Sequence, residues 1–157
     1  MLKHILVPLD GSKFAEDALR YASEILASEG RITLVCAVTI PEVPIYGSYP
    51  SMTIPDFDTT DHELIPQAKE YLEKVAQALG KDHIAIGYEV KLGDPGSVIV
   101  EIAEKLHVDA IVMSSHGRSG LGRLLFGSVT SKVIGARVCP VLIVPSKEEE
   151  KNVKSTG

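Results

Sequence analysis

The chain carries only two cysteines, Cys36 and Cys139. Neither belongs to a Cys-x-x-Cys pair, and no His/Cys cluster has metal-ligand spacing, so neither a disulfide framework nor a zinc site organises the fold. Each lies in or beside an apolar run, where a free thiol packs as a small hydrophobe. Long apolar runs are missing too: none approaches the roughly 18 residues that a membrane-spanning helix needs. A basic excess is absent. Lys and Arg number 16 against 21 Asp and Glu, a net charge of −5, which argues against a nucleic-acid partner. The opening Leu2-Lys3-His4-Ile5-Leu6-Val7-Pro8 lacks the layout of a signal peptide, so the expected location is cytoplasmic. What remains is a chain of 157 residues, 45% hydrophobic and 24% charged, enough for one soluble domain with a proper core.

Residues 2–9 form an apolar run without alternation, the pattern of a strand covered on both faces. Asp10-Gly11-Ser12 makes a turn, and Ser12 is placed to cap a helix. That helix sets Phe14, Ala15, Ala18, Leu19, Ala22, Ile25 and Leu26 on one face and is expected to end at Gly30. Ile32 to Val38 is a second buried strand. Residues 40–60 hold four prolines without periodicity and read as a long loop of the kind that is usually functional or mobile. A helix follows with Leu64, Ile65, Ala68, Tyr71, Leu72, Val75, Ala76 and Leu79 on one stripe, and Pro66 is expected in its first turn. Ile84, Ile86, Tyr88 and Val90 alternate with other residues, as on a half-exposed edge strand. Asp94-Pro95 signals a helix start, and Val98, Ile99, Ile102, Ala103 and Leu106 form the buried face of that helix. Val108 to Met113 is a fourth strand, 129–136 a short helix, and Val141-Leu142-Ile143-Val144 a fifth strand. Residues 1–146 are expected to form the domain, and 147–157 a disordered polar tail. Strands alternating with helices imply an α/β fold: an open parallel five-stranded sheet with helices on both faces. Ligands of such sheets bind at the carboxyl ends of the strands, where strand order reverses.

The stretch Ser114 to Thr130 carries the chemistry. It is a strand end, a glycine-rich loop and a helix start, the arrangement in which free N–H groups and the helix dipole attract phosphate. It contains neither G-x-x-x-x-G-K-[ST] nor the dinucleotide fingerprint G-x-G-x-x-G. It does contain Gly117, a gap of nine residues, and Gly127-Ser128. Ser128 reads as the helix N-cap, which would leave the N–H groups of Val129 and Thr130 to an anion, with hydroxyls from Ser128 and Thr130. Gly127 allows close approach to the backbone. Arg118 and Arg123 are placed to reach phosphate oxygens. The plainer alternative gives the glycines a turn role and Ser128 a capping role alone. Asp10 has the same two readings, ligand contact or turn former. His116 in a Gly/Ser loop reads as a solvated turn residue rather than a base.

Met113-Ser114-Ser115-His116-Gly117 with the nine-residue gap and Gly127-Ser128 resembles the nucleotide-binding signature G-x-x-G-x₉-G-[ST] of the universal stress protein family. Ile5 to Ser12 is similar to the family's first strand and turn, and Cys139 to Pro145 to its closing strand. The resemblance covers residues 2–145. It implies a flavodoxin-like, Rossmann-related sheet of order 3-2-1-4-5, and membership of the subgroup that binds ATP. Carried over by position, it implies a nucleotide site of Pro8, Leu9, Asp10, Ala37, Met113, Ser114, Gly117, Arg118, Gly127, Ser128, Val129 and Thr130. Asp10 would accept from the adenine amino group, Pro8 and Leu9 would line the base and ribose pocket, and Ala37 would meet the base through its backbone. Ser114 stands where the family has its first glycine, a departure that bears on affinity or base preference. The resemblance also implies a homodimer through Val141, Leu142, Ile143 and Val144.

The function expected is that of an ATP-binding regulator in stress response, with at most slow hydrolysis and no catalytic residue. Any Mg²⁺ or Mn²⁺ would be held through the phosphates. Two alternatives stand beside it: a family member that binds AMP or a cyclic nucleotide or acts only through protein contacts, and a phosphoacceptor receiver domain, for which Asp10, Asp94, Ser114 and Lys147 lie near strand ends.

Overall fold

The computed structural model of the chain describes residues 2–39, 57–80, 84–115 and 126–145, with residues 57–62 described by backbone alone. Its elements run β1 (Leu2–Pro8), α1 (Lys13–Ile25), β2 (Leu26–Val38), α2 (Phe57–Leu79), β3 (Ala85–Leu92), α3 (Pro95–Leu106), β4 (Ala110–Ser114), α4 (Ser128–Ala136) and β5 (Val141–Val144). All neighbouring strands are parallel, and the sheet order is β3-β2-β1-β4-β5. This is the expected doubly wound α/β sheet, with order 3-2-1-4-5.

The strand side chains divide between two cores. Ile5, Val7, Ile32, Leu34, Cys36, Val112 and Val144 point to the face covered by α1 and α2. Leu6, Val35, Ile111 and Met113 point to the face covered by α3 and α4. Alternate residues of one strand therefore feed opposite cores, which is why the sequence shows continuous apolar runs there. Each fully buried aliphatic side chain contributes roughly 1.5–3 kcal/mol relative to exposure. Among the described strands, β3 and β5 lie at the edges of the sheet. β3 lies at an edge, as expected, but its burial does not alternate: Ile86 and Val90 lean on the first core, whereas Tyr88 and Leu92, on the same face by a period of two, are exposed. At the other end of the sheet, Asp109 Oδ2 accepts from the backbone N–H groups of Lys3 (2.7 Å) and His4 (2.8 Å). These bonds tie β1 to the start of β4, and they hold the Asp109 carboxyl below the usual carboxylate range.

Several boundaries differ from the sequence expectation. Helix α1 stops at Ile25 rather than at Gly30, and Leu26 turns into extended backbone (φ −70°, ψ 143°). Leu26 is still buried in the first core, so its apolar character is satisfied from the strand. Ser28 and Glu29 are exposed and offer no apolar face to prolong the helix. Leu26 pairs with Leu2 and Arg31 with His4, leaving residues 27–30 as a bulge in β2. Gly30 is required there by space: a Cβ would lie 2.7 Å from the Leu26 side chain. Helix α2 begins at Phe57, so residues 57–60 are helical rather than loop, and Pro66 sits inside the helix. Proline has no N–H for the carbonyl four residues back. The helix continues because its stripe of Ala68, Tyr71, Leu72, Val75, Ala76 and Leu79 packs on the first core. β4 runs from Ala110 to Ser114, two residues after the expected start and one after the expected end. The remainder of the proposed loop, residues 40–56, and the tail 147–157 lie outside the described residues.

Both cysteines are free, Cys36 buried and Cys139 half-buried, and burial pushes the Cys139 thiol up. Among the described residues no helix is long and apolar enough to cross a membrane.

Candidate functional site

Strand order reverses between β1 and β4, whose carboxyl ends are Pro8 and Ser114. Loops leaving neighbouring strands toward opposite faces open a crevice at that point. A cleft of about 610 Å³ lies there. It takes Pro8, Leu9 and Asp10 from the end of β1, Ala37 from β2, Met113 and Ser114 from β4, and Gly127, Ser128, Val129 and Thr130 from the start of α4. Ten of the twelve residues named from the sequence thus surround one cavity. Gly117 and Arg118, with His116 and Arg123, lie outside the described residues.

The start of α4 forms one end of the cleft. Gly127, not Ser128, is the N-cap, and no side chain caps the helix. The first bond of this helix start runs from Ser131 N to the Gly127 carbonyl at 2.9 Å. The N–H groups of Ser128, Val129 and Thr130 occupy the first three positions of the helix, which have no intrahelical acceptor. Ser128 is exposed, and its hydroxyl is not consumed by capping. Ser and Gly are both good caps, which is why composition alone misplaced the boundary by one residue. The backbone of Gly127 (φ −67°, ψ 165°) suits any residue, so its conformation does not demand glycine.

Thr130 differs from the expectation more sharply. It is buried, and its hydroxyl donates to the carbonyls of Ser114 and Ser115, both at 3.2 Å. That hydroxyl ties the helix to the end of β4 and leaves Thr130 only its N–H for a ligand. Gly127 N donates to the Ser115 carbonyl at 3.0 Å, and Ser115 N to the Val144 carbonyl at 3.0 Å. The two ends of the glycine-rich stretch are therefore pinned together beside β5. Ser114, the residue in place of the family's first glycine, is buried and already engaged with other groups.

On the β1 side, Gly11 takes φ 81°, a left-handed turn that favours glycine. It turns the chain so that Asp10 Oδ1 accepts from Ser12 N at 2.9 Å and Ser12 Oγ from Ala15 N at 3.2 Å. Asp10 thus has the turn role among its functions while also lining the cleft.

Helix α2 supplies a wall that sequence reasoning missed. Leu64, Gln67, Ala68 and Tyr71, one face of the helix, line the cleft. The Tyr71 hydroxyl donates to Glu16 Oε1 at 2.9 Å, joining α2 to α1. Burial, first, and this bond push the Tyr71 phenol well above its usual range, so it stays a neutral donor. The signal available in the sequence was a stripe of core spacing, which does not say where a helix end overhangs the strand ends. Pro95 and Ile99 of α3 close a further side. Asp94 accepts from Ser97 N at 2.9 Å and from Lys132 Nζ at 2.8 Å. The Lys132 contact and the cap bond pull its carboxyl down to about 2. Asp94 is a helix cap clasped to α4, which removes the ground for reading it as a phosphoacceptor. Among the described residues no group of His, Cys, Asp and Glu has the arrangement of a metal site.

Comparison with known proteins agrees with the fold. The family model for the universal stress protein family matches residues 1–145. Universal stress protein MJ0531 of Methanocaldococcus jannaschii is 33% identical over 154 residues, covering 96% of this chain and 86% of that protein. The solved structure of MJ0577 from the same organism superposes with a TM-score of 0.80 at 31% identity, covering 92% of this chain and 96% of the other. A universal stress protein solved in complex with cAMP superposes with a TM-score of 0.60 at 26% identity, over 91% and 96% of the two chains. With the family model matching nearly the whole chain and the fold shared with solved members, the chain belongs to the universal stress protein family.

Proposed function

We propose that this protein binds ATP in the switch-point cleft and acts as a nucleotide-dependent regulator in stress response in the cytoplasm. The observation that carries the reading is the start of α4. Three helix N–H groups without intrahelical acceptors, an uncapped Ser128 and a glycine not demanded by its φ border a cleft with an acidic residue on its β1 side. An anion at a helix N-terminus meets both directed donors and the positive end of the dipole. The polyphosphate would lie against Gly127, Ser128 and Val129, with Gly117 and Arg118 from the glycine-rich stretch. The base would lie toward Pro8, Leu9, Asp10, Ala37 and Met113. Among the described side chains lining the cleft none is a histidine or lysine, and Tyr71 is held neutral; turnover is expected to be slow at most. A Mg²⁺ or Mn²⁺ ion would be held through the phosphates.

The direct experiment is to denature natively purified protein and analyse the released small molecules by ion-exchange chromatography. Co-purified ATP or ADP is the expected result. Protein that releases no nucleotide, and then gives no heat on titration with ATP, would overturn the proposal. A monophosphate or cyclic nucleotide is a second reading, favoured by the related structure in complex with cAMP and by Ser114, which lines the cleft where the family signature has a glycine. Release of AMP or cAMP instead of ATP would select it.

We also propose that β5 pairs with its symmetry mate to form a homodimer. It is an edge strand, and Leu142 on it is 41% exposed, an open template for strand pairing. Leu142→Lys is expected to shift sedimentation from dimer to monomer. Ile143 is a poorer probe because it packs on the second core. A wild-type monomer at micromolar concentration would remove this proposal.

A further inference from the structure

The polar side chains around the cleft are unequally committed. Asp10 holds the turn at Ser12, Tyr71 donates to Glu16, and Thr130 donates to β4. The Gln67 amide, like the hydroxyls of Thr39 and Ser128, lines the cleft and bonds to no other described residue, and among these three it alone carries both an amide donor and a carbonyl acceptor. It is held in place nonetheless. Its neighbours along the same helix face, Ala68 and Tyr71, pack on the first core, and Tyr71 is fixed to α1. It therefore sits on a rigid helix, on the α1–α2 side of the cleft, with both its donor and its acceptor uncommitted. Asp10 lines the same cleft as Gln67 and Tyr71.

We infer that Gln67 reads the edge of the nucleobase and sets a preference for adenine. The inference rests on the nucleotide reading above. A carboxamide presents a donor and an acceptor side by side, the complement of an adenine edge, where the amino group donates and a ring nitrogen accepts. The adenine amino group has two protons. Asp10 takes one, Gln67 Oε1 takes the other, and Gln67 Nε2 donates to the ring nitrogen. Guanine presents O6 and N7, both acceptors, on the corresponding edge. The amide satisfies only one of them, and O6 faces the Asp10 carboxylate. Rejection comes from polar groups left without partners, which is where hydrogen-bonding sites discriminate most strongly.

The test is calorimetric titration of the full chain with ATP and with GTP, for the wild type and for Gln67→Leu. Gln67 is exposed, and leucine is a good helix former of similar size, so the fold is kept. The expected result is a wild-type preference for ATP that falls by about tenfold in the variant, the loss of one bidentate amide contact. A ratio that stays at the wild-type value overturns the inference, whether both affinities fall together or neither moves. So does a wild type without preference. A wild type that binds neither nucleotide overturns the nucleotide reading itself, and this inference with it.

Discussion

Gly127→Val is expected to abolish ATP binding while the protein stays folded. The backbone at this position has φ −67° and ψ 165°, which valine adopts without strain. Nothing in the conformation of α4 demands glycine, and the bond from Ser131 N to the residue 127 carbonyl needs no particular side chain. The cost falls on the ligand. Valine places two methyl groups at the mouth of the N–H cradle formed by Ser128, Val129 and Thr130. A phosphate pushed out of that cradle loses at least two charge-assisted hydrogen bonds of about 1.5 kcal/mol each, about 100-fold in affinity. Calorimetry reads the affinity, and a thermal melt reads the fold. Unchanged affinity would remove α4 from the site, and a collapse of the melt would show that glycine serves the fold after all.

Leu72→Ala should have the largest effect on stability that bears on the site. Leu72 is fully buried, and it is the one buried hydrophobic residue on the described part of α2. The other contacts of that helix with the first core come from half-buried side chains such as Tyr71 and Val75. Truncation removes its transfer free energy and leaves a cavity, about 3 kcal/mol together. For a chain of this size that lowers the melting temperature by about 10 °C. Nucleotide affinity should fall as well, because Leu64, Gln67, Ala68 and Tyr71 form one wall of the cleft. Urea unfolding measures the first effect and calorimetry the second. A loss below about 1 kcal/mol would mean that α2 is not anchored as described.

The two substitutions touch what was legible in the chain to different degrees. The nine-residue spacing from Gly117 to Gly127, the apolar runs and the Asp10 turn were sufficient to name the strand ends that meet at the cleft. The role of each donor was not legible. Ser128 read as the cap, but Gly127 holds that position, because side-chain chemistry permits either residue and only the path of the backbone selects one. The Thr130 hydroxyl is offered to phosphate by the sequence pattern. It instead bonds Ser114 and Ser115, residues fifteen and sixteen positions away in sequence, a distance no local pattern encodes. The end of α1 was misjudged because Leu26 can bury itself from a helix or from a strand, and periodicity is silent where both satisfy the same hydrophobic demand.

Sequence alone determined the class of this protein. Alternating apolar runs and amphipathic stripes leave little but a parallel sheet covered on both faces, since each element has to bury the side its pattern makes apolar. It also marked the turn where the proposed phosphate site lies, because a glycine-rich strand-to-helix turn exposes N–H groups. Tertiary structure decided what stands opposite. Gln67 and Tyr71 are ordinary members of a helical stripe until α2 is laid over the strand ends, where Leu72 holds it against the core. Packing between elements distant in the chain sets that wall. Its residues thus acquire a role only when the two layers close on the sheet.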